Sequence, residues 1–165
     1  MFKKSAVWFF AVCVLLFPVL SGCSAQNLEA EDIDFTFSCK IDVKSDCGNM
    51  TCDFVRAGPQ SADIGILSGD AEGLSYDWNG GEFTVSYGGL SVQNDSCALP
   101  STSFAALLVG SLDCAQQKDA LTRSREGEFS GRAEGFDFIL KADVSTGQIT
   151  EFSVPEKNLN VKFYE

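Results

Sequence analysis

The chain has 165 residues, seven cysteines, no histidine and a formal net charge of −11. That length allows one domain, and 45% hydrophobic residues with 14 phenylalanines exclude a compositionally disordered chain. The missing histidine excludes Ser-His-Asp and Cys-His catalysis and any histidine metal ligand. The acidity excludes a nucleic-acid binder, which needs clustered Lys and Arg for phosphate contacts.

Met1-Phe2-Lys3-Lys4 is a short basic start, and Ala6 to Leu20 is an uncharged apolar run. A basic segment, an apolar segment and small residues before a cut describe a secretory signal peptide. The run of 15 residues is short of the ~20 that a membrane-crossing helix needs. Pro18 near its end also opposes a spanning helix. Leu20-Ser21-Gly22-Cys23 then resembles a bacterial lipobox. That resemblance implies cleavage before Cys23, diacylation of its thiol by palmitate-type chains, and acylation of the new amino terminus. Two or more acyl chains anchor a protein stably where one does not. The resemblance therefore implies a lipid-anchored, extracytoplasmic protein on a bacterial cell membrane. Ser24 after the lipid cysteine implies outer-membrane sorting if the organism has two membranes. Residues 1–22 are the expected leader, 23–32 a polar flexible tether, and 33–165 the folded domain. The expected mature chain has 165 − 22 = 143 residues, and its 10 basic and 23 acidic side chains give −13.

Phe35, Phe37, Cys39, Ile41 and Val43 alternate with polar residues, which predicts a half-buried antiparallel strand. Asp46 to Asn49 supply a turn. Met50, Cys52 and Phe54 predict a second strand ended by Arg56-Ala57-Gly58-Pro59, and Ala62 to Leu67 a short third. Leu74, Tyr76 and Trp78 face Phe83, Val85 and Tyr87 across Asn79-Gly80, the strongest hairpin signal in the chain. Gly88-Gly89 breaks the run and Leu90-Ser91-Val92 resumes it. Pro100 to Ser103 is a helix start with a hydroxyl N-cap. Phe104, Leu107, Leu108, Ser111, Leu112 and Ala115 then form one face of an amphipathic helix. Gln116 to Arg125 reads as a polar loop. Strands resume at Gly127–Ala133, at Phe136–Val144, at Gln148–Val154 and at Leu159–Phe163. The expected fold is mainly β: a curved, unclosed antiparallel sheet of about eight or nine strands with one or two helices as a lid. The helix is too small to cover such a sheet, so its apolar concave face is expected to need either full barrel closure or a ligand.

Phe35-Thr36-Phe37, Gly73 to Trp78, Leu99-Pro100, and Asp143-Val144-Ser145-Thr146-Gly147-Gln148-Ile149 followed by Pro155 resemble the half-barrel lipoproteins of the LolA, LolB and LppX-like superfamily. The resemblance spans most of residues 33–164 and rests on strands and turns, with no catalytic motif. It implies non-catalytic binding of an acyl chain, a lipid or a lipidated partner in an apolar cavity. The inward faces would supply Phe35, Phe37, Ile41, Phe54, Tyr76, Trp78, Phe83 and Phe138, with Leu107 and Leu108 from the lid. Close packing makes core filling the expected role of most of these positions and cavity lining that of a minority. The alternative is a structural or protein-interaction lipoprotein with a filled core and no small ligand.

Five cysteines follow Cys23: Cys39, Cys47, Cys52, Cys97 and Cys114. Export permits disulfides, and an odd count leaves at least one thiol over. Cys39 and Cys52 share the buried face of adjacent strands and are the first pair to consider; the turn register decides whether they are opposite. Cys47-x4-Cys52 lacks metal-site spacing, so no metal or cofactor is expected. Asp77-x-Asn79-x-Gly81-Glu82 is explained by the hairpin rather than by calcium. No nucleophile motif, phosphate loop or carboxylate pair on an apolar background is present, so no enzymatic activity is expected.

Overall fold

A computed structural model describes residues 27–94, 99 and 103–164. The leader, Cys23, Cys97 and residues 100–102 of the expected helix start lie outside the described residues.

Among the described residues eleven strands form one sheet in the order β6-β5-β4-β3-β2-β1-β11-β10-β9-β8-β7. They are β1 (Phe37–Ser45), β2 (Gly48–Gly58), β3 (Ser61–Ser68), β4 (Ser75–Trp78), β5 (Phe83–Tyr87), β6 (Leu90–Asn94), β7 (Leu121–Arg125), β8 (Glu128–Ala133), β9 (Phe136–Ala142), β10 (Ile149–Val154) and β11 (Leu159–Tyr164). Every neighbouring pair is antiparallel. The sheet does not close, since β6 and β7 remain as edges. The one α-helix among the described residues, α1 (Phe104–Ala115), packs on one face. The described residues are therefore mainly β, with a single unclosed antiparallel sheet and one α-helix.

The expected eight or nine strands are too few. Leu121–Arg125, read from its polarity as a loop, is strand β7. It is an edge strand, and edges carry charge because only one side needs to pair. Arg56 does not end β2, which runs on to Gly58.

The sheet curls. Laid flat, β4 and β8 would stand seven strand spacings apart, roughly 34 Å. Yet Asp113 of α1 bonds Trp78 in β4, and its neighbour Cys114 bonds the Arg132 carbonyl in β8. Consecutive helix residues can reach both only if the two arms bend around the helix. Phe54 of β2 and Phe163 of β11 agree, with ring centroids 6.2 Å apart across an intervening strand.

The helix face predicted from periodicity is the face that packs: Phe104, Leu107, Leu108, Ser111, Leu112 and Ala115 are all buried. Beneath it lie Ile41, Val43, Cys52, Phe54, Ile64, Phe129, Phe138, Leu140, Phe152 and Val161. The alternation along β1, β2 and β9 sends Ile41, Val43, Cys52, Phe54, Phe138 and Leu140 inward, and β3, β8, β10 and β11 supply the rest.

The domain begins before residue 33. Leu28 is buried, with Ile33 and Phe35, so residues 28–35 form a strap that belongs to the core. A 3-10 turn at Ala30–Asp32 is closed by reciprocal bonds between Glu29 and Asp32. Arg123 of β7 contacts Glu29 and Asn27. Asp34 pairs with Gln148, and its N–H donates to the Gly147 carbonyl. The polar composition of residues 23–32 concealed this, because one leucine and a capped turn anchor the segment. Gly147 is fixed by the contact: its φ is +74°, and a Cβ there would sit 2.2 Å from the Asp32 carbonyl oxygen.

Candidate functional site

Among the described residues two polar side chains are buried, Ser111 of α1 and Arg56, and Arg56 alone of these is charged. Arg56 follows Cys52 and Phe54 on the inward side of β2, and its side chain has no accessible surface. A buried guanidinium requires compensation, and α1 supplies it. Arg56 Nη1 lies 2.8 Å from Asp113 Oδ1, and Nη2 donates to Gln116 Oε1 at 2.5 Å. The Nη1 contact is outside hydrogen-bond angles and acts as a Coulombic pair, while Nε has no partner among the described residues. Asp113 also accepts from Trp78 Nε1 at 2.8 Å and from the Gln60 N–H at 3.1 Å. One carboxylate thus ties the C-terminal half of the helix to β2, β4 and the β2–β3 turn. The alternation of Cys52 and Phe54 predicts an inward residue 56. Ending the strand at Arg56 hid that signal.

The ten expected cavity residues do not line one cavity. Ile41, Phe54 and Leu108 have essentially no accessible surface, so no void large enough for water touches them. They are core. Phe138 is equally buried, stacks near Phe152 and covers Gly131, where a Cβ would fall 2.3 Å from its ring. Leu107 is buried, and Phe83 packs on Trp78 with centroids 4.5 Å apart. Tyr76 meets the Phe104 ring edge-on beside a cleft of 190 Å³ at the helix N-terminus. Phe35 and Ile33 line a cleft of 420 Å³ against Ala115 and Leu121 at the other end of the helix. Close packing separates these positions.

Phe37 is the cavity residue that joins an apolar cleft on the sheet itself. Pairing between β1 and β11 covers only Lys40 to Lys44. Phe37 to Cys39 therefore lack a partner on that side among the described residues, and a gap opens between β1 and β10. Phe37, Cys39, Ile149 and Phe163 give this cleft of 280 Å³ its apolar wall, with Asp34, Asp143 and Gln148 at the rim. Phe37 meets Phe54 and Phe163 edge-on at 5.4 and 5.6 Å. Phe163 was not among the expected lining residues, because the last strand's position beside β1 is a fact of topology. The rim carboxylate of Asp143 is occupied by the turn: Oδ1 accepts from the Ser145 and Thr146 N–H groups at 2.9 and 3.0 Å. These bonds, that of the Ser145 hydroxyl first, hold its carboxyl below the usual range.

Cys39 and Cys52 are free thiols and the expected disulfide is absent. Register explains why. Phe54 stands opposite Cys39 and Ile41 opposite Cys52, so the sulfurs lie on a diagonal, one inward pair out of step. Burial pushes the Cys39 thiol up to about 11 and that of Cys52 up to about 12. Cys47 is exposed in the β1–β2 turn. No group of three or more Cys, Asp or Glu able to hold a metal occurs among the described residues. Asn79 Oδ1 accepts from the Gly81 and Glu82 N–H groups, so the Asp77–Glu82 segment is a hairpin turn. No helix among the described residues is long and apolar enough to cross a membrane.

The geometry of the described residues is that of an unclosed antiparallel half-barrel with one α-helix tied across its concave face. Neither a protein-family profile nor a curated protein sequence matches the chain. Among solved structures, the crystal structure of a LolA superfamily protein from Nitrosomonas europaea is similar to it. The match has 13% identity and a TM-score of 0.38, over 79% of this chain and 70% of that one. A likeness of that degree does not assign a family.

Proposed function

We propose that the protein is a lipid-anchored lipoprotein of the bacterial cell envelope that binds a hydrophobic ligand without catalysis. The ligand is an acyl chain, a lipid or the lipid of a modified partner. One observation carries the reading: an unclosed apolar sheet, covered by a single helix, opens into a phenylalanine-lined cleft of 280 Å³. That volume is close to the lower bound of about 300 Å³ for small-molecule sites. It takes part of an acyl chain.

Anchoring rests on Cys23. With Leu28 in the core, only residues 24–27 separate lipid from domain, a reach of about 15 Å. The domain's own acidity repels an anionic bilayer, so lipid on Cys23 supplies the attachment.

Native mass spectrometry of the protein from its own host tests the ligand. Co-purifying lipid, removed by delipidation and restored by added fatty acid, supports the reading. A clean mass that added fatty acid and phospholipid leave unchanged refutes it. Cys23→Ala should release the protein from membranes or leave it uncleaved; unchanged fractionation refutes the anchor. The second reading is a protein-interaction lipoprotein with no small ligand. The absence of accessible surface at Ile41, Phe54 and Leu108 favours it.

A further inference from the structure

The two edges of the sheet differ in a way that neither ligand binding nor anchoring uses. Edge strands normally carry charges or bulges that block pairing with another chain. β7 follows that rule, with Arg123, Arg125 and a register shift between them. β6 does not. From Phe83 to Asn94 the β5–β6 hairpin contains no charged residue and no proline. Its Gly88-Gly89 turn has φ of +58° and +83°, the type I′ geometry of a two-residue hairpin.

That turn makes Tyr87–Leu90 and Val85–Val92 the hydrogen-bonded pairs. The N–H and C=O groups of Ser91 and Gln93 therefore point away from β5, along the open edge. On the inward face Tyr87 is 60% exposed, Leu90 77% and Val92 59%, beyond the reach of the helix. Among the described residues the hairpin thus offers a backbone with no partner on its outer side and apolar side chains at alternate positions, as strand addition requires.

Charge selects the occupant. Between Arg56 and Lys118 the chain has no lysine or arginine. Asp63, Asp70, Glu72 and Asp77 are exposed on that arm, and Asp63 stands directly opposite Asp77 across β3 and β4. A second copy would bring two such acidic arms together. A cationic partner is attracted instead.

We infer that the β6 edge docks an extended segment of a partner protein, apolar at alternate positions and flanked by Lys or Arg, which adds to the sheet as a further strand. This rests on the edge alone and stands whether or not the protein binds lipid.

The test uses the full chain in zwitterionic nanodiscs and fluorescence anisotropy. One probe is the peptide Lys-Lys-Val-Thr-Val-Thr-Val-Lys-Lys; a second replaces its lysines with glutamates. The lysine peptide should bind and the glutamate peptide should bind at least about tenfold more weakly, with affinity falling as salt shortens the range of the attraction. Ser91→Pro removes an outward N–H at a position where an edge strand tolerates proline, so it should abolish binding with the thermal midpoint unchanged. The lysine peptide N-methylated on the residues facing β6 should fail to bind the unaltered protein, which covers misfolding of the variant. Equal binding of both charges, full binding by Ser91→Pro or by the N-methylated peptide, or no binding at all overturns the inference. A dimer in sedimentation that Ser91→Pro dissociates also overturns it, by making the occupant a second copy.

Discussion

The Arg56–Asp113 pair gives a prediction with a direction that generic destabilisation does not share. The two partners are buried unequally: the Arg56 side chain has no exposure and that of Asp113 has 17%. Asp113→Ala leaves a guanidinium in the core with Gln116 as its remaining partner. Breaking a buried pair this way costs about 3–5 kcal/mol. Arg56→Met keeps much of the apolar stem, and the carboxylate left behind touches water and retains the Trp78 and Gln60 donors. Its cost is about 2 kcal/mol, the scale of one hydrogen bond to a charged group. The double variant Arg56→Met/Asp113→Ala removes both charges and should be more stable than Asp113→Ala alone. At about 3 °C per kcal/mol for a domain of this size, the Asp113→Ala midpoint falls by about 9–15 °C. Urea unfolding followed by tryptophan fluorescence reads Trp78, which bonds the same carboxylate. A cost below about 1 kcal/mol for Asp113→Ala, or a double variant less stable than it, would refute the reasoning.

Cys39 and Cys52 should resist alkylation at pH 8 in the native protein, while Cys47 reacts; the raised Cys39 thiol leaves about a hundredfold less thiolate than its ordinary value of 9.0. Mass mapping of iodoacetamide adducts checks this, and the two thiols should react only on unfolding. Because both pKa values are raised in the fold, their stabilisation is complete below pH 9 and lost as pH rises toward 11 and 12. Glu151 has the opposite sign: hydrogen bonds from Lys141, then Asn160, hold its carboxyl below 4.5. Glu151→Gln should be less stable than wild type at pH 7, and the two should converge as pH falls through and below 4.5 in urea titrations. Gly147→Ala forces a Cβ against the Asp32 carbonyl at a positive φ. It should cost about 1–3 kcal/mol and free the 28–35 strap, seen as faster amide exchange at Asp34.

Much of the fold was legible because burial follows period. The alternations from Phe35 and from Phe136, the Asn79-Gly80 hairpin and the Phe104–Ala115 helix face all reappear in the structure. Three features were not, each for a physical reason. β7 is polar because an edge strand owes its pairing to backbone bonds, which composition does not record. The strap is held by Leu28 and a capped turn inside a polar stretch. Arg56 is an inward residue whose charge is cancelled by Asp113, 57 positions later in numbering; no local pattern joins them. For the candidate site, an inward aromatic face was readable, but which aromatics fill space and which border it depends on strand order. β11 lands beside β1, and there Phe163 joins Phe37.

Photo-crosslinking with a diazirine-bearing fatty acid tests ligand binding most directly. Adducts are expected on Phe37, Cys39, Ile149 and Phe163, which wall the cleft. Absence of saturable labelling, or adducts confined to the exposed Tyr87, Leu90 and Val92 of the β5–β6 hairpin, would contradict it.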